Sequence, residues 1–319
     1  MSGIIKLSKK TYYTIVASSV RYANTRIKTE DWLEVSGVLI GKNQGNDVII
    51  SAAYPIMHQE LDKNAVIDQY KWNDEDYLSL SIIDDEAFSR GEFTVGWWHS
   101  HPGFRIMMSH IDIQTTLSYQ QNNPLAIALV FNPQRLTRQI ELPDKKGDPV
   151  IQLENDPGFK IFRLDDVNKG VQASYHEVYF EIEGFNNVVQ LIQQAQKFVI
   201  DVTNFLPKNR ISERYESFVN ERIDQLNSLI VGTDEYLKTL VRQGETSRIA
   251  EVLENQKKEI RKYVAETFVK IGNIKEFMDY LEYKERDLII PQVNKILIKW
   301  DEIISKLDEK LAEISQKFQ

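Results

Sequence analysis

The sequence predicts a mixed α/β unit over residues 1–183, joined to an α-helical, coiled-coil-like region over 184–319. Three observations carry that expectation. In the first part the apolar spacing keeps switching between the helical and the strand period, as alternating elements of one layered unit require. Beyond Gly184 the composition turns to long segments rich in Glu, Lys, Leu and Ile, and histidine is absent after Pro207. At the C-terminal end, Val293, Leu297, Trp300, Ile304, Leu307, Leu311, Ile314 and Phe318 recur at alternating spacings of four and three, a heptad seam.

The elements follow in order. Ser8 is placed to cap a helix whose apolar stripe runs through Tyr12, Ile15, Val16, Val20 and Ala23. Leu33 to Ile40 and Val48 to Ala53 are β-rich runs separated by a Gly- and Asn-bearing connection, which predicts a hairpin. Residues 55–73 show no clear period and read as a loop. Asn73 opens an acidic-capped helix through Phe88, Phe93 to Trp98 returns to strand, and a helix is expected from Ser109 to about Gln121. Leu125 to Phe131 and runs at Val150, Lys160 to Leu164 and Glu177 to Glu181 complete the unit as strands. In the helical region Val188, Ile192, Ala195, Val199, Val202 and Phe205 form a shorter seam, and Pro291 suits the first turn of the last helix.

Composition excludes several classes. With 319 residues, 42% of them hydrophobic, the chain has ample material for a core. Its 47 acidic and 39 basic residues leave a net charge of -8 and no basic stripe, so nucleic acid is not an expected partner. The absence of cysteine removes thiol peptidase chemistry and thiolate metal sites. No apolar run approaches the ~18 residues of a spanning helix, and the N-terminus lacks a secretory core, so a soluble cytoplasmic protein is expected with no membrane partner.

One segment concentrates the chemistry. In Gly96-Trp-Trp-His-Ser-His-Pro-Gly-Phe-Arg-Ile-Met-Met-Ser-His-Ile-Asp112, His99 and His101 lie two apart at a strand end, so alternation points both imidazoles to one face. Pro102-Gly103 breaks the strand, and the following helix can aim Asp112 back at the same point. Two imidazoles and one carboxylate with a fourth position open match a catalytic zinc site. Such a site lowers the pKa of a water to roughly 7 and polarises a carbonyl. Glu34, in the apolar run Leu33-Glu-Val-Ser-Gly37, is the carboxylate available as general base. Alternatives exist for each: a His-x-His can be structural, Ser109-x-x-Asp112 also spells a capping box, and Glu34 can face solvent on an edge strand. His58 and His176 read as ordinary surface or core histidines, and His110 faces away from Asp112 on its helix.

Glu34, His99-x-His101, ten intervening residues and Asp112, with Ser100, Pro102 and Ser109 at their places, resemble the JAMM (MPN+) zinc metalloprotease motif. Gly96-Trp97, His99-Ser-His-Pro-Gly-Phe104 and Gln114 are most similar to the proteasome-lid deubiquitinase and the COP9 signalosome isopeptidase, and the likeness runs from about Ile4 to Phe180. The resemblance implies an MPN domain with a mixed β-sheet flanked by helices. It also implies Zn2+ held by His99, His101 and Asp112, Glu34 as acid and base, and Ser109 as hydrogen-bond donor to the oxyanion. The implied substrate is the bond between the C-terminal glycine of ubiquitin, or a ubiquitin-like modifier, and a lysine. Residues 55–80 and 103–108 would border the groove, with Phe104 and Met107 as contacts to the modifier's tail. An MPN-type or helical partner subunit in a proteasome-like complex would be met by the C-terminal region. Trp98, Met107-Met108 and Asn132 depart from the pattern without touching its ligand positions. A non-catalytic scaffold of the same domain, paired as a dimer partner, and a zinc hydrolase of small substrates are the rival readings.

Overall fold

A computed structural model describes residues 3–59, 72–137, 157–185 and 188–318. The chain divides into two compact units: Met1–Lys208 together with Asp279–Arg286, and Asn209–Met278 together with Asp287–Gln319.

The first unit is built on a mixed sheet with eight strands among the described residues. β1 (Ile5–Leu7) leads into α1 (Lys9–Tyr22), where the Ser8 side chain accepts the Thr11 amide as N-cap. β2 (Glu34–Gln44) and β3 (Asp47–Gln59) form a long antiparallel hairpin, with one register shift between Ser36 and Gly37 and another between Ile40 and Gly41. Both strands outrun the apolar runs that announced them, because backbone pairing continues through the exposed polar Lys42, Asn43 and Gln44. Residues 55–59, read above as loop, are therefore the end of β3. Residues 60–71 of that expected loop lie outside the described residues, as does the expected strand at Val150.

α2 (Asp74–Ser89) starts with a full capping box between Asn73 and Asp76. β4 (Phe93–Ser100) crosses through α3 (His110–Gln120) to β5 (Ile127–Phe131), which pairs parallel to β4. Close approach of these strands needs Gly96, since a Cβ there would lie 2.2 Å from the Ile127 carbonyl oxygen. α4 (Pro133–Thr137), β6 (Phe159–Leu164), β7 (Tyr175–Glu177) and β8 (Phe180–Ile182) follow. Spatial order in the sheet is β7-β6-β5-β4-β2-β3-β1-β8. Trp97, Ile113, Leu117, Val130 and Phe162 form one core cluster; Val38, Ile40, Ile56, Ile83 and Ala87 form a second, where α2 packs. α5 (Val188–Phe205) belongs to this unit as well.

The second unit is helical. It contains α6 (Ile211–Gln243), α7 (Ile249–Phe277), most of α8 (Tyr283–Ser305) and α9 (Leu307–Lys317). The heptad positions Val293, Leu297, Trp300, Leu307, Leu311 and Ile314 are buried, and Ile314 packs with Leu237, Leu240, Ile249 and Leu253. Pro291 is not in a first turn: α8 begins at Tyr283 and carries the proline inside it. A proline there cannot bond the Asp287 carbonyl four residues back, and Asp287 is where the division between the units falls within α8.

Candidate metal centre

The site forms at the carboxyl end of β4, the edge at which parallel α/β arrangements place their ligands. His99 stands opposite Ser36 of β2 and Val130 of β5, fully buried. The strand ends at Ser100, and the His101 amide donates to the Phe131 carbonyl at 2.7 Å. Gly103, at φ 82, then turns the chain out.

Four distances define the cluster. His99 Nε2 lies 2.9 Å from His101 Nε2 and 3.3 Å from Asp112 Oδ1, while His101 Nε2 lies 3.6 Å from Asp112 Oδ2. All three residues offer a ligand atom within 4.8 Å of one another. Ligands about 2.0–2.2 Å from a tetrahedral zinc sit roughly 3.3–3.6 Å apart, so the donor set fits such an ion with little adjustment. Orientation fits as well. His101 Nδ1 is 2.9 Å from the Arg105 carbonyl oxygen, so that nitrogen carries the proton and Nε2 presents its lone pair to the cluster.

Asp112 is the third residue of α3 and serves two ends. Its Oδ2 accepts the Ser109 amide at 2.7 Å while Ser109 Oγ accepts the Asp112 amide at 3.2 Å, so the capping box and the cluster share one carboxylate. Burial would raise the Asp112 pKa, but His99, His101 and the Ser109 amide outweigh it and hold the carboxyl well below its usual range. For His101 burial disfavours the cation, yet Asp112 and Glu34 more than compensate and its pKa is raised. Glu34 itself is half-buried at the first position of β2, two residues before the Ser36 that pairs with His99.

Residues 5–125 match the family described as JAB1/Mov34/MPN/PAD-1 ubiquitin protease. The chain carries an MPN domain. Over 105 residues it is 35% identical to COP9 signalosome complex subunit 5 of Oryza sativa subsp. japonica, covering 32% of this chain and 28% of that protein. Over the same length it is 37% identical to the Dictyostelium discoideum subunit 5, covering 30% of that protein, and 32% identical to the Drosophila melanogaster one, covering 31%. The match therefore spans less than a third of each relative. Protein DSY2949 of Desulfitobacterium hafniense, a solved structure 18% identical, covers 56% of this chain and 93% of its own with a TM-score of 0.33, too slight a likeness to bear on the site.

Four residues, Trp97, Thr116, Ser100 and Asn132, support the cluster through bonds the linear motif did not show. Trp97 stacks on the His99 ring at 4.4 Å and donates from Nε1 to Thr116 Oγ1, which itself donates to the Asp112 carbonyl at 2.6 Å, linking the strand ligand to the helix ligand. Ser100 Oγ accepts the Val35 amide at 2.9 Å, fastening β4 to the start of β2 beside Glu34. Asn132 Nδ2 donates to the Phe104 carbonyl at 2.7 Å and holds the segment after His101.

The remaining expected positions fall as follows. Phe104 is exposed, its ring centroid 6.3 Å from that of His101, and Met107 is exposed in the same segment. His110 is exposed at the start of α3, and His176 pairs with Asp165 on the surface. His58 lies in β3 rather than in a loop. A groove of about 940 Å³ runs between α2, β4 and α3, lined among others by Ser36, Trp72, Tyr77, Leu80, Trp97 and Ile111. Among the described residues no helix is long and apolar enough to cross a membrane.

Proposed function

We propose that this chain is a zinc-dependent isopeptidase of the deubiquitinase type, hydrolysing the amide between the C-terminal glycine of ubiquitin or a ubiquitin-like modifier and a substrate lysine. The convergence of His99, His101 and Asp112 on one point, with Glu34 close enough to bias the charge of His101, carries the reading. Two imidazoles and a carboxylate leave a tetrahedral ion one open position, the pattern of catalytic sites. Bound zinc supplies Lewis-acid polarisation and a water acidified to a pKa of about 7.

The chain's own groups do the rest. Glu34 takes a proton from the attacking water and returns it to the departing lysine amine as the C–N bond breaks, leaving a free glycine carboxylate. Ser109 Oγ uses a lone pair to accept the Asp112 amide, so its O–H stays available to the oxyanion of the tetrahedral intermediate. The groove beside Ser36, Trp97 and Ile111, together with exposed Phe104 and Met107, offers apolar walls to an extended Gly-Gly tail. The relatives are subunits of a COP9 signalosome complex, which supports work in an assembly with an MPN-type or helical partner.

Purified wild type and Glu34→Gln are compared for bound zinc and for cleavage of ubiquitin-like chains. Zinc in both, with cleavage lowered by about 10²–10⁴ only in the variant, is expected. Wild type without zinc would assign the chain to the scaffold class instead.

A further inference from the structure

We infer that residues 279–286 are a positioning segment for the active site, with Glu282 acting through His58 on the strand ends that carry Glu34. The inference rests on the isopeptidase reading of Glu34. The 70 residues Asn209–Met278 separate this segment in the chain from Lys208, yet it belongs to the first unit and sits deep in it. Tyr280, Leu281 and Glu282 are each at most 1% exposed.

Its contacts reach three elements. On α1, Ser18 Oγ donates to the Tyr280 carbonyl at 3.1 Å, and Arg21 grips Glu285 with Nη1 to Oε2 at 2.5 Å and Nη2 to Oε1 at 2.8 Å. On α2, Lys284 Nζ donates to Asp76 Oδ1 at 2.9 Å. On β3, Glu282 Oε1 meets His58 Nδ1 at 2.6 Å, and the imidazole is stacked on the Tyr22 ring at 4.4 Å.

A carboxylate this buried is costly unless it is held by a partner, and His58 is the side chain bonded to it. Tyr22, on which that imidazole is stacked, is another side chain that interacts with Glu282. The position of His58 then matters. It pairs in register with Val35, its neighbour Gln59 pairs with Glu34, and the Val35 amide is bonded to Ser100 between the two histidines of the cluster. Fixing His58 thus fixes the paired ends of β3 and β2. The zinc-ligand residues sit on β4 and α3; the contacts given above for the segment go to α1, α2 and β3, and β4 is reached only at second hand, through the Val35 amide on Ser100. The segment therefore bears first on the strand end that carries the base.

The test uses the full chain with Glu282→Gln, which keeps the side-chain volume, and Lys284→Ala, which removes a contact of the same segment to α2. For Glu282→Gln the expected result is unchanged zinc content, KM within about twofold, kcat lower by about tenfold or more, and amide exchange at residues 34–36 faster by about tenfold. Lys284→Ala is expected to lower the melting temperature while leaving kcat and that exchange unchanged. A Glu282→Gln chain that melts earlier but keeps kcat and its protection at 34–36 would reduce the segment to a structural staple and overturn the inference. Should the wild type hold no zinc or cleave nothing, the isopeptidase reading fails, and the exchange at 34–36 still decides whether Glu282 fixes those strand ends.

Discussion

At the scale of single residues, the cluster was legible because its geometry is local. A two-residue spacing at a strand end and a short turn into a capped helix are enough to bring His99, His101 and Asp112 together. The roles of Trp97, Thr116 and Asn132 were not legible, since the Trp97–Thr116 and Asn132–Phe104 bonds join separate elements 19 and 28 residues apart. Ser109 belongs to both descriptions, as helix cap and as an exposed hydroxyl beside the cluster. These roles separate by magnitude. Losing an N-cap costs about 1 kcal/mol of stability, whereas losing an oxyanion donor costs about a hundredfold in kcat. Ser109→Ala is expected to retain zinc, lose about 1 kcal/mol in denaturant unfolding, and drop kcat about a hundredfold. Loss of stability with full kcat would leave the hydroxyl a cap and nothing more.

At the scale of elements, α1 to α3 and β2 to β6 followed from period and capping while their lengths did not; β1 was not expected, and the single strand expected at Glu177 to Glu181 is two short ones, β7 and β8. β3 continues through Pro55 and His58 because β2 supplies its pairing partners, a tertiary cause that overrides the polar local sequence. The same pairing makes Ser100 an element-scale residue. It is fully buried, and its Oγ is the acceptor for the buried Val35 amide across β4 and β2. Ser100→Ala leaves that amide without its acceptor and is expected to destabilise the chain by about 1–3 kcal/mol. Equilibrium urea unfolding measures it, and zinc content should stay at the wild-type level because Ser100 offers no ligand to the cluster.

At the scale of the whole molecule, the sequence announced a helical region beyond Gly184 but not that residues 279–286 return to the first unit. Nothing in a heptad pattern reports a contact between positions more than two hundred residues apart, and the polar run Glu282 to Arg286 reads as a solvated face. Arg21 is the clearest case. It is 2% exposed, bonded to both oxygens of Glu285 and to the carbonyls of Pro207 and Lys208. Burial disfavours its charge, and Glu285 with Glu282 outweighs that and raises its pKa. Removing one partner of such a pair strands the other, so Arg21→Ala is expected to cost about 3–5 kcal/mol. Glu285, being less buried, can recover water when Arg21 is gone, so Glu285→Ala in the Arg21→Ala background should cost far less than it does alone. A double-mutant cycle by urea unfolding reads that difference directly. A coupling of about 0.5–3 kcal/mol would establish that the return segment is fastened energetically as well as geometrically, and additive losses would mean that Arg21 is held by the two carbonyls alone.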